Sequence, residues 1–155
     1  MPITVHIKIS KRFKVNCPIE RAFALLADVP ESASHFPKVD RLVDLGGNAY
    51  RWEMQKIGFD RYHIQTIYAC RYKSNKRDKT VTWEPIEGEG NAVVRGKWTL
   101  KSVGKEATQC SLTTTGDLTV PLPSLAKFIV APLVVGEFDS LADRYVVNLK
   151  KTLNS

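Results

Sequence analysis

The stretch VPLPSLAKFIVAPLVVGEFDSLADRYVVNL, residues 120–149, decides how this chain is read. It follows a long region of alternating residues, and its Val120-Pro121-Leu122-Pro123 turn opens a helical run that continues to the C-terminus. From Val134 the apolar positions fall at Val134, Phe138, Leu141, Tyr145 and Leu149, with Glu137, Asp139, Asp143, Arg144 and Lys150 on the other side. Steps of three and four place the first set on one helix face. A single helix of this kind, arriving after a sheet, has to lay its stripe on that sheet. If the sheet curves around the helix, the two enclose a hollow.

Working backwards, residues 3–15 alternate, with Val5, Ile7, Ile9, Phe13 and Val15 on one side and His6, Lys8, Ser10, Arg12 and Lys14 on the other. This is the pattern of a half-buried strand. Pro18 and Glu20 suit the first turn of a short helix whose inner face is Ile19, Ala22, Phe23 and Leu26. Asp28-Val29-Pro30 predicts its end, and Glu31 to Phe36 predicts a second short helix stopped by Pro37. Six further strands are expected at 40–45, 49–57, 60–73, 79–85, 91–103 and 106–120, divided by Gly- and Asn-rich turns.

The 155 residues read as one domain, 1–155, because no linker, repeat or low-complexity tract interrupts them. The start alternates instead of offering a charged segment followed by an apolar one, so it predicts a strand, not a secretory leader, and a cytoplasmic protein. The longest apolar run, Leu125 to Val135, holds Lys127 and Pro132 and falls short of the roughly 20 residues a membrane span needs. It reads as a core helix or an interfacial one. Cys17, Cys70 and Cys110 are far apart and form no Cys-x-x-Cys pair, which predicts reduced, buried thiols. His6, His35 and His63 lack metal-ligand spacing, and no nucleotide-binding loop or nucleophile elbow occurs. Neither metal nor cofactor is expected, and no catalytic residue can be assigned.

One strand face is large and weakly polar. It carries Tyr50, Trp52 and Met54; Tyr62, Ile64, Thr66, Tyr68 and Cys70; Val81 and Trp83; Val94, Gly96, Trp98 and Leu100; and Cys110, Leu112 and Thr114. Wide apolar walls with a few hydroxyl and indole donors suit a small-molecule site. The residues expected to line it are Trp52, Met54, Tyr62, Ile64, Thr66, Tyr68, Trp83, Trp98, Leu112 and Thr114 from the sheet, with Phe138, Leu141 and Tyr145 from the helix. An empty apolar cavity of about 300 Å³ costs on the order of 7 kcal/mol, so such a hollow has to be occupied, wetted or closed by its own rings.

The strand running into Cys17-Pro18-Ile19-Glu20-Arg21-Ala22-Phe23, the segment from Asp28-Val29-Pro30 to His35-Phe36-Pro37, the Gly96-Lys97-Trp98 strand and the helix Glu137-Phe138-Asp139-Ser140-Leu141 together resemble the START-like helix-grip superfamily, in its polyketide cyclase/dehydrase-like branch. The resemblance implies an α+β fold in which a seven-stranded curved antiparallel sheet, in the order β-α-α-β6-α, wraps a long C-terminal helix. It also implies an apolar cavity between them, with His35 bordering its mouth. On this reading the protein binds or carries an apolar small molecule of lipid, isoprenoid or polyketide-like type. A cyclase or dehydratase-like enzyme is the alternative. A further alternative follows from the net charge of +7 and from Lys8, Arg12, Lys14, Arg71, Lys73, Lys76, Arg77 and Lys79. If these converge, an anionic membrane surface or a ribosome becomes a partner. No nucleic-acid module with exposed aromatics is visible, so nucleic acid is not a favoured partner, and the oligomeric state is left open.

Overall fold

The computed structural model describes the backbone of residues 2–59 and 62–155, and the side chains of these residues other than Phe59 and Tyr62. Strand β1, Ile3–Val15, buries Ile3, Val5, Ile9, Phe13 and Val15 and exposes most of the intervening polar positions, as its alternation predicts. Helix α1, Ile19–Ala27, turns Ala22, Phe23, Leu25 and Leu26 inward. Helix α2, Val29–Ala33, corrects the expected boundary. The first helix stops before Asp28-Val29-Pro30 as expected, but Pro30 also falls in the first turn of α2, which spans Val29–Ala33 and not Glu31 to Phe36. The Asp28 carboxylate accepts a hydrogen bond from the Glu31 amide at 3.2 Å. The physical reason is that a first-turn residue has no carbonyl to donate to, so proline loses nothing there.

Strands β2 (Val39–Gly46), β3 (Ala49–Met54), β6 (Ile67–Asn75), β7 (Thr80–Pro85), β8 (Ala92–Gly104) and β9 (Ala107–Val120) join β1 in one antiparallel sheet. Its order is β1-β9-β8-β7-β6-β3-β2, the seven strands expected. The expected hairpin of 49–57 with 60–73 is interrupted, however. Its tip forms a separate ribbon of β4 (Ile57–Phe59) and β5 (Tyr62–Ile64). The main ladder breaks because backbone groups beside it find other partners. The Gln55 amide donates to Lys38 O at 2.9 Å, and the Gln65 side chain donates to Met54 O at 3.0 Å.

After a 3-10 turn at Ser124–Ala126, helix α3 runs from Lys127 to Leu153 and lies against the concave side of the sheet. Val130, Val134, Phe138, Leu141, Ala142, Tyr145, Leu149 and Leu153 form its buried stripe. The core divides into two clusters along this helix. One surrounds Trp83, Trp98, Tyr145 and Leu149, the other Trp52, Met54, Val134 and Phe138, and Phe36 and Tyr68 pack against both. The fold is therefore the helix-grip arrangement that the sequence implied.

The end of α3 is latched to α1. The Arg21 guanidinium donates to the carbonyls of Thr152 at 2.8 Å, Leu153 at 3.3 Å and Ser155 at 3.0 Å. Thr152 and Leu153 belong to the last turn, whose carbonyls the helix leaves without amide partners, and a cation suits the negative end of its dipole. Replacing Arg21 by alanine is expected to cost about 1 kcal/mol and to lower Tm by about 2–4 °C. A thermal melt indistinguishable from that of the parent protein would show that the latch carries no stability.

Candidate binding cavity

The site is built from rings. Trp52 on β3 stacks on Tyr68 of β6, with centroids 5.8 Å apart and planes 11° from parallel. The Trp52 indole N–H donates to Tyr72 Oη at 2.8 Å, and Tyr72 leans on Trp83 of β7 at 5.7 Å. On the other side Phe36, just past α2, meets Trp52 edge-on at 5.9 Å and Tyr145 of α3 at 5.1 Å. Trp98 of β8 closes the chain, 6.0 Å from Tyr145 and 5.9 Å from Phe13. Alternation places these rings on the concave side of the sheet, and α2 and α3 bring the remaining ones over them.

Two small hollows remain between the rings. The first, about 80 Å³, is lined by Trp52, Tyr68, Trp83, Trp98, Leu112, Thr114 and Tyr145 from the expected set. Leu26, Val29, Ser32, Phe36, Tyr72, Val81 and Val94 complete it. The second, about 90 Å³, takes Thr66, Tyr68, Thr114 and Phe138 from the expected set, with Ile7, Ile9, Phe36, Val94 and Leu118 among its other walls. Phe36, Tyr68, Val94 and Thr114 belong to both and so form the partition between them. The rings thus fill most of the space that a hollow of about 300 Å³ would occupy.

The remaining expected residues lie elsewhere. Met54, Ile64 and Leu141 are buried in the core beside the second hollow but line neither. The side chain of Tyr62 falls outside the described residues. His35 lines neither hollow. Its Nδ1 lies 2.8 Å from Glu31 O and its Nε2 2.8 Å from Thr152 Oγ1, so both ring nitrogens are engaged in tying α2 to the end of α3. Among residues not singled out as site members, Tyr72 was legible, since it continues the alternation of Ile64, Thr66, Tyr68 and Cys70. Phe36 was not, because its position depends on where α2 crosses the sheet.

One polar atom stands out. Thr66 Oγ1 is, among the described residues, the one buried side-chain oxygen or nitrogen with no hydrogen-bond partner. Its segment is held firmly from both sides. The Asn91 side-chain amide donates to Gln65 O at 2.7 Å, and Asn91 Oδ1 accepts from the Ile67 amide at 2.9 Å. The Asn91 amide in turn donates to Ile67 O at 2.9 Å, and Met54 donates to Thr66 O at 3.0 Å. This grip needs the chain to pass close at Gly90, which has φ +95° and whose added Cβ would lie 2.2 Å from Ile67 O. The unpartnered hydroxyl is therefore fixed in the wall of the second hollow. Burying such a group without a partner costs free energy.

Little of this lining can exchange protons near neutral pH. Burial pushes the phenols of Tyr68 and Tyr72 well above their ordinary range, and that of Tyr145 up to about 12, although its hydrogen bond to Ser32 works the other way. Asp117 lines the second hollow from its rim and pairs with His6 at 2.7 Å. The cavities thus offer neutral hydroxyls, which orient a ligand, and wide apolar surface, which binds it.

Among the described residues no group of three or more His, Cys, Asp or Glu is placed to hold a metal ion. The three cysteines are free and buried. The basic residues do not converge on the sheet. Lys8, Arg12 and Lys14 lie on β1, whereas Arg71 and Lys73 lie on β6, with β9, β8 and β7 between them. Four strand spacings amount to about 19 Å.

A family model described as "Polyketide cyclase / dehydrase and lipid transport" matches residues 6–154. No curated protein matches the chain. Among solved structures, a START superfamily protein from Mycobacterium smegmatis superposes with a TM-score of 0.65 at 12% identity, over 94% of this chain and 96% of its own. The Zhui aromatase/cyclase from Streptomyces sp. R1128 gives a TM-score of 0.61 at 14% identity, over 96% of this chain and 91% of its own. Norcoclaurine synthase from Thalictrum flavum, solved with dopamine and hydroxybenzaldehyde, gives 0.59 at 16% identity, over 92% of this chain and 85% of its own. At these identities the likeness is one of fold.

Proposed function

This chain belongs to the polyketide cyclase / dehydrase and lipid transport family, in the START-like helix-grip superfamily, and on that footing we propose that it binds or carries an apolar small molecule of lipid, isoprenoid or polyketide-like type between sheet and α3. The observation that carries this reading is the unpartnered Thr66 hydroxyl in the largely apolar wall of the second hollow. A ligand carbonyl or hydroxyl is the partner it lacks. Apolar burial then supplies affinity, and Thr66 supplies orientation. A ligand larger than a few non-hydrogen atoms has to displace Phe36 and Tyr68, which separate the two hollows.

The enzymatic reading has less support. General acid–base work calls for a group poised near the working pH, and the phenols in the lining are held protonated. Their hydroxyls can orient a carbonyl without transferring a proton to it. A regulator that engages an anionic surface through the whole basic set is also weakened, since that set is divided across the sheet.

Thr66→Val tests the reading with two opposed effects. Removing an unpartnered hydroxyl is expected to leave stability unchanged or raise it by about 1 kcal/mol, whereas the loss of a paired one lowers it. Phenol and benzene serve as matched probes, followed by calorimetric titration. The parent protein is expected to prefer phenol about tenfold, and Thr66→Val to erase that preference. Failure of the parent protein to bind either probe, together with native mass spectra free of any co-purified hydrophobic species, would refute the proposal.

A further inference from the structure

The start of α3 and the 3-10 turn before it are apolar on both sides. Ala126, Val130 and Val134 are buried against the sheet, while Leu125, Phe128, Ile129 and Leu133 point away from it and are 81%, 82%, 62% and 45% exposed. Their spacing places all four on one helix face. Single exposed apolar residues are ordinary, but four large ones side by side mark a surface that meets something.

Charge indicates what that is. From Leu118 to Gly136 the chain has no Asp or Glu, and Lys127 is exposed at the first position of α3, one residue before Phe128. The acids that follow on α3 are each engaged in an ion pair, with one lysine shared by two of them. Lys11 pairs with Asp139 at 2.8 Å and Asp143 at 2.7 Å, and Lys38 pairs with Glu137 at 2.9 Å. Neither the 3-10 turn nor α3 has a side-chain cap at its start, so the positive end of the helix dipole is left at the same place. A two-fold contact between copies centred on this face would bring two positive helix ends, each carrying a Lys127, towards each other. An anionic bilayer surface opposes none of these charges and offers apolar depth to the side chains. The helix is not long and apolar enough to cross a membrane. With one side on the sheet, it can only lie along the surface.

We propose that the outer face of the first turns of α3 docks on anionic phospholipid, with Phe128 and Ile129 entering the acyl boundary and Lys127 meeting the head groups. This inference is independent of what the cavities hold. It is tested with the full chain by cosedimentation with phosphatidylcholine vesicles containing about one-third phosphatidylserine. The parent protein is expected to partition onto them and to be released by salt. The double variant Phe128→Ser/Ile129→Ser is expected to lose at least about tenfold in partitioning, and Lys127→Glu about fivefold. Both variants are expected to melt like the parent, because the altered side chains face solvent. A parent protein that stays in the supernatant, or a double variant that partitions as well as the parent, would overturn the proposal. So would a concentration-dependent dimer in sedimentation velocity that the double variant abolishes, since that assigns the face to a second copy.

Discussion

Between pH 8 and pH 11 the protein is expected to lose most of its stability. Burial holds the thiols of Cys70 and Cys110 in the folded protein up at about 12, and the phenol of Tyr145 up at about 12 as well. In the unfolded chain these groups ionise near their ordinary values, about 8.5 for a thiol and 10 for a phenol. The folded state therefore keeps protons that the unfolded state releases. Its advantage is complete below the unfolded values and disappears as pH climbs toward the folded ones. At pH 11 each thiol favours unfolding by about 3 kcal/mol, and Tyr145 adds about 1 kcal/mol. Tyr68 and Tyr72, pushed up for the same reason, act in the same direction. Their sum rivals the roughly 5–15 kcal/mol by which most domains are stable. Urea midpoints measured at pH 7.5, 9.5 and about 11 are expected to fall steeply, and less so in Cys70→Ala/Cys110→Ala. Midpoints that stay level across this range would mean the thiols are not sealed from water.

Gly96→Ala is expected to cost about 3 kcal/mol, at the upper end for overpacking. Gly96 sits opposite Trp83 in the β7–β8 ladder. A Cβ there would lie 2.5 Å from the Cε2 and Cζ2 atoms of the Trp83 indole and 2.7 Å from Thr113 O. The carbonyl belongs to the neighbouring strand and cannot retreat without breaking its ladder, so the indole has to move. Trp83 lines the first hollow and packs on Tyr72, so its displacement disturbs the binding wall as well as the core. Urea unfolding reads the stability, and tryptophan emission reads the displaced ring. Trp83→Leu made in the Gly96→Ala background is expected to recover about 1 kcal/mol relative to the sum of the two single changes, because it vacates the contested space. Additive effects would show that glycine is needed at position 96 for some reason other than the indole.

Both expectations depend on how much of the interior was visible in the chain. Alternation identified the concave face strand by strand, and Trp52, Trp83 and Trp98 are buried as it requires. The steps of three and four from Val134 to Leu149 selected five residues that are all buried in the stripe of α3, and left out only Ala142 between them. Proline was less legible. Pro30 had the same chemistry as a helix terminator and as a first-turn residue, and the choice depended on whether Asp28 found an amide to cap. The break between β3 and β4 was hidden for a similar reason. It follows from contacts of Gln55 and Gln65 with residues on other segments.

What the amino-acid order determined by itself is the set of elements and the side each residue presents, because periods of 2 and of 3.6 are local properties of a backbone. Only the tertiary structure decided that Phe36 and Tyr68 divide the interior, that the basic strands lie far apart, and that Thr66 has no partner while His35 has two. Those outcomes depend on distances between segments remote in sequence. A cavity, in particular, is the small difference between the volume that the elements enclose and the volume that their side chains fill, and no local pattern encodes that difference.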